Sequence, residues 1–513
     1  MTHPTRTTAP ALPRATDVLV VGAGPTGLVL AVDLVRHGLR PLVVEQGDGL
    51  APGSRGTGLQ PRTQEVLADL GVLDALLTVG GPYPPRAIWE GGRVVREVAL
   101  SEPTPATPDV PWPEPLLVPQ WRTQEELYRR LRELGGEVVF GTRVESLAQD
   151  AEGVTVRLAA GGAEHTVRAR YVVGADGGRS TVRAGLGMAM VPGALTEAMP
   201  AFVADVAVPG LSEDRWHMWR SSPLGGAALK PLAGTGLFQA VAVATDASKE
   251  WEVTPQGVRA ALADLTDLTA DQVTQVRWVS AFRPRAAMAE RFRVGRVLLA
   301  GDAAHVHSPA GGQGLNTGVQ DAYNLGWKLA AVLRHGVGEA LLDTYEAERL
   351  PVAARVLEIS SHLHMTQSWQ RDKELRQLGI GYGDGPLADE RRTGLPEDAL
   401  RAGDRAPDAP LTTPDGRPRT LFDTYRGPHF TLLTLGDTPT PHHTDPRLRT
   451  IRIGGPHPDL LDPHHHATTA YAPTGHFLIR PDGYLHTAAP TLTPHDLTTA
   501  LHSTGVGRGA AVA

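Results

Sequence analysis

The sequence predicts a multidomain α/β protein built around a parallel sheet, with a separate sheet layer inserted into it, and three observations support this. A chain of 513 residues is longer than one hydrophobic core organises, so two or three domains are expected. Near the N-terminus a β-branched run leads at once into a glycine-rich turn and an apolar helical pattern. Further along, short alternating strands separate two stretches of strand-and-helix pattern.

The first unit is the most informative. Asp17 to Val21 reads as a buried parallel strand, followed by Gly22-Ala23-Gly24-Pro25-Thr26-Gly27, a helix from Leu28 to His37, and a second strand from Pro41 to Val44 that ends at Glu45. That order of strand, glycine turn, helix, strand and acid is what a Rossmann-like dinucleotide-binding unit requires. Gly22 permits the tight turn, Gly24 lets the backbone approach a pyrophosphate, and Gly27 lets helix and strand pack closely. The helix N-terminus offers N–H groups and a positive dipole end to phosphates. Glu45 lies where an acceptor for ribose hydroxyls is expected. The glycine motif alone does not choose between NAD and FAD.

From Ala201 to Val243 the pattern is of short strands broken by Pro223, Gly225 and Gly234, and Ala261 to Phe282 returns through a helix and a strand. This block reads as a sheet that roofs a cavity. Trp216, Met218, Trp219, Phe238, Trp278 and Phe282 offer aromatic and soft surface to a flat ligand, about half of them facing it. Pro309 to Gly314 cannot be helical throughout, yet Val319 to Arg334 is amphipathic and helix-like, so this loop delivers a helix N-terminus to whatever lies above it. Asp321 and Asn324, one turn apart in that helix, read as packing or capping groups, so a change at Asp321 is expected to leave cofactor content unaltered. A Pro/Gly-rich break from Gly383 to Pro396 precedes the last unit.

Composition excludes several function classes. The net charge of -7, without a basic patch, argues against a nucleic-acid partner. No apolar run approaches the roughly 20 residues needed to cross a bilayer. Met1 to Thr16 lacks the apolar middle of a signal peptide and reads as a disordered tail on a cytoplasmic protein. With no cysteine there is no disulfide, thiolate catalysis or Cys-ligated metal. His464, His465 and His466 lie in a Pro/Asp loop and read as solvated, so no metal is expected.

Two further segments carry a resemblance. Gly174-Ala-Asp176-Gly-Gly-Arg-Ser-Thr-Val-Arg183 follows the strand Tyr171 to Val173, and Arg296-Val-Leu-Leu-Ala-Gly301-Asp302-Ala-Ala-His305 is a strand running into a Gly-Asp turn. With the opening glycine motif, these resemble the signatures of class A FAD-dependent aromatic hydroxylases of the para-hydroxybenzoate hydroxylase type, across roughly residues 17 to 360. Val118-Pro-Gln120-Trp-Arg122-Thr123 and Gly311 to Gly318 are closest to the actinobacterial hydroxylases of aromatic polyketides. Ala402 to Pro407 and Phe477 to Gly483 resemble the thioredoxin-like tail of phenol and polyketide hydroxylases, which without cysteine would be structural.

The resemblance implies one non-covalent FAD, held by Gly22, Gly24, Pro25, Thr26, Gly27 and Glu45. It places Asp302 on the ribityl chain, Asp176 near both FAD and the nicotinamide donor, and Arg55 and Arg122 near the flavin and pyrophosphate. Gln120 and Val144 correspond to ribityl and adenine contacts, and Pro309, Gly312, Gln313, Gly314, Leu315 and Asn316 lie against the isoalloxazine ring. The implied layout is a tail over 1–16, an FAD-binding domain over 17–190 and 286–400, a β-sheet substrate domain over 191–285, and a thioredoxin-like domain over 401–513. NADPH or NADH would reduce the flavin, and O2 would add at its C4a atom to give a hydroperoxide that an electron-rich aromatic ring attacks. No residue stands out as a catalytic base. The protein is expected to be a monomer or homodimer acting on an aromatic, polyketide-like small molecule. A Baeyer–Villiger monooxygenase on a polyketide ketone is the alternative, followed by a non-catalytic FAD-binding protein. A flavin halogenase is disfavoured, because Trp216-His-Met-Trp219 has the wrong tryptophan spacing and lysines are few.

Overall fold

The computed structural model describes residues 12–100, 102–193, 199–366 and 374–505. Most of the tail expected over 1–16 lies outside the described residues, and its last two, Ala15 and Thr16, already belong to a strand.

Strand β1 (Ala15–Val21) runs through the middle of the first sheet, because Val18, Leu19 and Val20 are fully buried between the layers on its two faces. It pairs in parallel with β2 (Leu42–Val44) on one side and with the long strand β5 (Ala163–Gly174) on the other. β11 (Val297–Leu299) extends the parallel set beyond β5. Helix α1 (Pro25–Arg36) joins β1 to β2, with proline at its first position, where no intrahelical N–H is needed. It packs against α2 (Gln120–Glu133) and, most extensively, against α4 (Gly314–His335). Gly326 makes that approach possible, since a Cβ there would run into the Asp33 carboxylate of α1.

A second, seven-stranded sheet has the order β10 (Gln275–Phe282), β6 (Ala201–Ala207), β9 (Leu237–Ala244), β8 (Gly225–Leu232), β7 (Trp216–Ser222), β3 (Arg86–Glu90) and β4 (Arg93–Val98). Five strands come from the segment expected to form it. The other two come from residues 86–98, far upstream, and the β7–β3 pairing is parallel. Local patterning cannot show a pairing between segments more than a hundred residues apart. One face of this sheet is closed by α3 (Pro255–Leu265), whose Val258, Leu262 and Leu265 pack on Phe202, Leu229 and Ala240.

The C-terminal unit carries a smaller sheet, in the order Asp389–Glu390, β15 (Leu485–Ala489), β14 (Gly475–Ile479), β12 (Phe430–Leu435) and β13 (Leu448–Ile453). It has its own core around Leu433, Phe477 and Leu485, and it is also bonded to the first unit. Glu348 of α5 (Asp343–Met365) receives Arg480 at 2.6 and 3.0 Å and Lys328 of α4 at 2.7 Å, all with side chains at or near zero exposure. These two cations outweigh the effect of burial and hold the Glu348 carboxyl down at about 2. Among the described residues no helix is long and apolar enough to cross a membrane.

Candidate functional site

The opening turn is shaped by packing at two of its glycines and left open at the third. Gly22 has φ +106°, and a Cβ there would strike the carbonyl of Ala175, while one at Gly27 would strike the carbonyl of Gly22. A Cβ at Gly24 would meet nothing within 4 Å. No side chain caps α1 at Gly24, so the N–H groups of its first turn face this space. Glu45 borders it, accepting from the Ala23 and Gly47 N–H groups, both at 2.9 Å. The Thr26 side chain fills the gap between Gly301 and Gly318, where a Cβ at either would meet its hydroxyl. Thr26 therefore fastens α1 to the Gly-Asp turn and to α4.

Asp302 lies in that turn, at the end of β11. Its side chain is open to solvent, yet the walls around it crowd it enough to raise its pKa, with His305 and Arg55 opposing. An accessible carboxylate ringed by protein marks the bottom of a cleft. Its Oδ1 would lie 3.9 Å from a Cβ at Gly314, so the Gly-Asp turn and the N-terminus of α4 converge there. No side chain caps α4 either. The exposed Pro309 and the half-buried Gly312 form the approach to it, with φ +64° at Gly312.

The polar side chains of this approach are occupied within the protein. Gln313 donates to the Gly311 and Leu375 carbonyls and accepts from Gln377. Asn316 accepts from the Gln60 N–H at 2.8 Å and donates to the carbonyls of Gly58 and Gly312. Leu315 packs on Gly56, whose N–H donates to Gln120 at 2.9 Å. Asn316 and Gln120 thus tie the Gly53–Gln60 segment to α4 and α2, while Gln313 ties the approach loop to Leu375 and Gln377. What they leave facing the cleft is backbone.

The remaining predicted residues are spread around the rim. Arg55 is exposed, donates to Ser280 at 3.1 Å and lies over Trp278. Arg122 pairs with Glu125 at 3.1 Å and stacks on Trp121, whose ring also carries Arg277. The Val144 side chain is buried in its sheet. Asp176 accepts from the Thr181 and Val182 N–H groups through one oxygen, and its other oxygen is buried without a partner. Arg183 links this segment to the Gly-Asp turn through the carbonyls of Gly178 and Ala303, each at 2.9 Å.

Of the six residues expected over the cavity, four share the sheet face opposite α3. Trp216 and Met218 alternate along β7, Trp278 and Phe282 lie along β10, and Trp278 packs on Gly53 of the cofactor-side loop. Trp219 and Phe238 are corrections. Both point to the α3 face and are buried there, with the Trp219 indole donating to Asp267 at 3.0 Å.

Asp321 is a buried packing group that caps the Gly-Asp turn. It is fully buried and accepts from the Gly301 N–H at 3.0 Å, from His305 at 2.6 Å and from Arg349 at 2.8 Å. Burial alone would raise its pKa, but His305 and Arg349 outweigh it and hold the carboxyl well below its usual range. It is the anchor of the Gly-Asp turn. His307 extends the chain, 2.9 Å from His305, and burial keeps it neutral, with its pKa down at about 3. Sequence reasoning missed Lys230 and Gln239 as well, which reach the Ser54–Thr57 segment from the sheet. The signal for Lys230 was present: it is one of only four lysines and stands inside an apolar strand. Among the described residues no group of His, Asp and Glu is arranged to hold a metal ion.

The cleft fits a dinucleotide cofactor: an open middle glycine, an uncapped helix end, an acid at the second strand, and an accessible Asp302 beside a second uncapped helix end. Comparison with known proteins agrees. A family model described as an FAD binding domain matches residues 15–360, and one described as the C-terminal part of aromatic-ring hydroxylases matches residues 400–505. A flavin-dependent monooxygenase of Mycobacteroides abscessus is 45% identical over 91% of this chain and 96% of its own length. A 12-dehydrotetracycline 5-monooxygenase/anhydrotetracycline 6-monooxygenase of Streptomyces rimosus is 37% identical over 95% of this chain and 98% of its own. Among solved structures, aklavinone-11 hydroxylase in complex with FAD and aklavinone superposes with a TM-score of 0.79 at 28% identity, covering 96% of this chain and 99% of the other.

Proposed function

The chain belongs to the FAD-binding flavoprotein monooxygenases, and on that premise we propose that it hydroxylates a fused-ring aromatic small molecule of the polyketide kind, using NAD(P)H and O2. The observation that carries the reading is the position of the cleft. The accessible Asp302 and the uncapped start of α4 lie on one side of the Gly53–Gln60 segment, and a sheet face bearing Trp216, Met218, Trp278 and Phe282 lies on the other. Cofactor and flat substrate would meet across that segment.

Bound FAD supplies the redox chemistry, taking reducing equivalents from NAD(P)H and activating O2. The chain's own residues bind and orient it. Gly24 and the α1 N-terminus suit the pyrophosphate, Glu45 the ribose, and Asp302 the ribityl hydroxyls. The backbone N–H groups at Gly314, Leu315 and Asn316 present a positive dipole end suited to the electron-rich end of the ring system. Arg55 adds a cation at the rim of the same cleft. The aromatic sheet face excludes water from the reacting ring and fixes its plane. No side chain on that face is assigned as an acid or base. The C-terminal unit, read as thioredoxin-like, supports α4 and α5 through Arg480 and carries no chemistry of its own.

The test is mass spectrometry of products formed from a panel of aromatic polyketides with NADPH or NADH under 18O-labelled O2. Incorporation of one labelled oxygen into the substrate is the expected result. NAD(P)H consumption that yields only hydrogen peroxide with every ligand would refute the reading.

A further inference from the structure

A single line of side chains crosses the second sheet and ends on the segment that borders the cofactor cleft. In register, Gln239 of β9 stands opposite Lys230 of β8 on one side and Asp205 of β6 on the other, and Asp205 stands opposite Trp278 of β10. The four are consecutive neighbours in one row, perpendicular to the strands. Each meets the Gly53–Gly58 segment. Lys230 donates to the Thr57 hydroxyl. The Gln239 amide donates to the Ser54 carbonyl and, at 3.3 Å, to that of Arg55. Asp205 lies against Ser54, fully buried, and burial lifts its pKa to about 6 against the opposing effects of Ser54 and Arg277. The Trp278 ring occupies the space a Cβ at Gly53 would take.

The opposite side of the segment is held from the cofactor side, by Gln120 at Gly56 and by Asn316 at Gly58 and Gln60. The next row of the sheet on the same face is Met218, Ala228, Val241, Val203 and Ser280, the flat surface on which a ring system would lie. Arg55 joins the two rows, since its guanidinium reaches Ser280 while its carbonyl accepts from Gln239. The segment is thus gripped between the surface proposed for substrate and the helix ends proposed for FAD. Packed elements of this kind change arrangement as units, not by continuous bending.

We propose that Gln239 is a positioning residue: together with Lys230 and Asp205 it fixes the Ser54–Thr57 backbone, and with it Arg55, against the cofactor, and it passes occupation of the neighbouring row to that backbone. This rests on the functional reading above for the identity of both ligands, but the grip itself does not. Gln239 is the member to test, because its amide serves two successive carbonyls and leucine keeps its bulk while removing the donors.

The FAD-loaded Gln239→Leu protein is compared with wild type by hydrogen exchange over residues 51–60 and by stopped-flow reduction of the flavin by NAD(P)H, with and without an aromatic ligand. The expected result is at least tenfold faster exchange in Gly53–Gly58, with exchange in β6 unchanged, together with at least a tenfold loss of ligand-induced acceleration and a fall in kcat larger than the change in KM. Wild-type exchange in that segment overturns the proposal. So does faster exchange accompanied by wild-type acceleration. Absence of acceleration in wild type with every aromatic ligand also overturns the coupling; the functional reading fails with it only if O2 then yields nothing but hydrogen peroxide, and the exchange measurement still decides whether Gln239 positions the segment. Thr57→Val, which removes the Lys230 contact from the segment side, is judged by the same two measurements should the leucine variant not fold.

Discussion

Replacing Asp321 with alanine separates the anchor of the Gly-Asp turn from the residue it presents. The carboxylate holds three donors in a fully buried site, the Gly301 N–H, His305 and Arg349. Its removal strands the Arg349 guanidinium, which keeps only the Tyr382 hydroxyl and the Thr317 carbonyl. Breaking a buried ion pair from one side costs about 3–5 kcal/mol, a large part of the about 5–15 kcal/mol that holds a typical protein folded. At no more than about 2–4 °C per kcal/mol for a large domain, the midpoint of thermal unfolding should fall by roughly 6–20 °C. FAD content should fall with it, because the loosened turn carries Asp302. The pH dependence has a definite sign. The Asp321 carboxyl is held below its usual range in the folded protein, so its contribution is complete above the unfolded value near 3.8 and is lost as pH falls below it. The difference between wild type and Asp321→Ala should therefore be full at pH 6 and shrink below about pH 4. Differential scanning calorimetry across that range, with flavin absorbance on the same samples, is the measurement. A variant that melts with wild type at pH 7 and keeps its full flavin would refute the assignment of Asp321 as anchor.

Asp302→Ala should do the opposite, weakening FAD binding by about 1.5–3 kcal/mol, roughly ten- to a hundredfold, while the apoprotein melts as wild type; a titration of apoprotein with FAD reads this. Arg480→Met should destabilise the protein by about 3–5 kcal/mol in urea unfolding, since Glu348 and Asp482 lose their shared buried partner, and a chain cut near Leu400 should be insoluble for the same reason, which sedimentation of the expressed fragment checks. Burial raises the Asp33 pKa to about 7, with Arg36 opposing, so the folded state holds a proton the unfolded state releases and stability should fall as pH rises from about 4 to about 7. Asp33→Asn should flatten that decline in urea midpoints measured across the same range. Trp278→Ala should raise KM for an aromatic substrate severalfold, whereas Trp219→Ala should lower the unfolding midpoint and leave KM within about twofold, as steady-state kinetics and melting curves on both will show.

The parts of this protein legible in its sequence are those whose physics is local. The unit from β1 to Glu45 could be read because its pattern falls within about thirty consecutive residues: a buried strand, a glycine turn, a helix, and an acid at the next strand, even though the collision that forces Gly22 comes from Ala175. The side-chain jobs of Gln313 and Asn316 could not, since their partners are Gln377, Gly58 and Gln60, up to 258 residues distant. Asp321 could be read as a packing or capping group, but what it holds could not, since its partners Gly301, His305 and Arg349 lie 16 to 28 residues away. Trp219 could have been placed correctly. Strand alternation puts it on the face opposite Trp216 and Met218, and only their shared aromatic or soft character grouped them.

The bond between Glu348 and Arg480 also sets an order of events during synthesis. Every residue proposed for the cofactor has been made by Asn316, yet Arg480, the second of the two cations on the buried Glu348, follows more than 160 residues later. Chains emerge at about 5–20 residues per second, so Arg480 follows Asn316 by roughly 8–30 seconds, and until then Glu348 has Lys328 as its one cation. FAD loading that depends on a settled α4 and α5 is then expected late, with the unfinished chain open to chaperones and proteases for that interval.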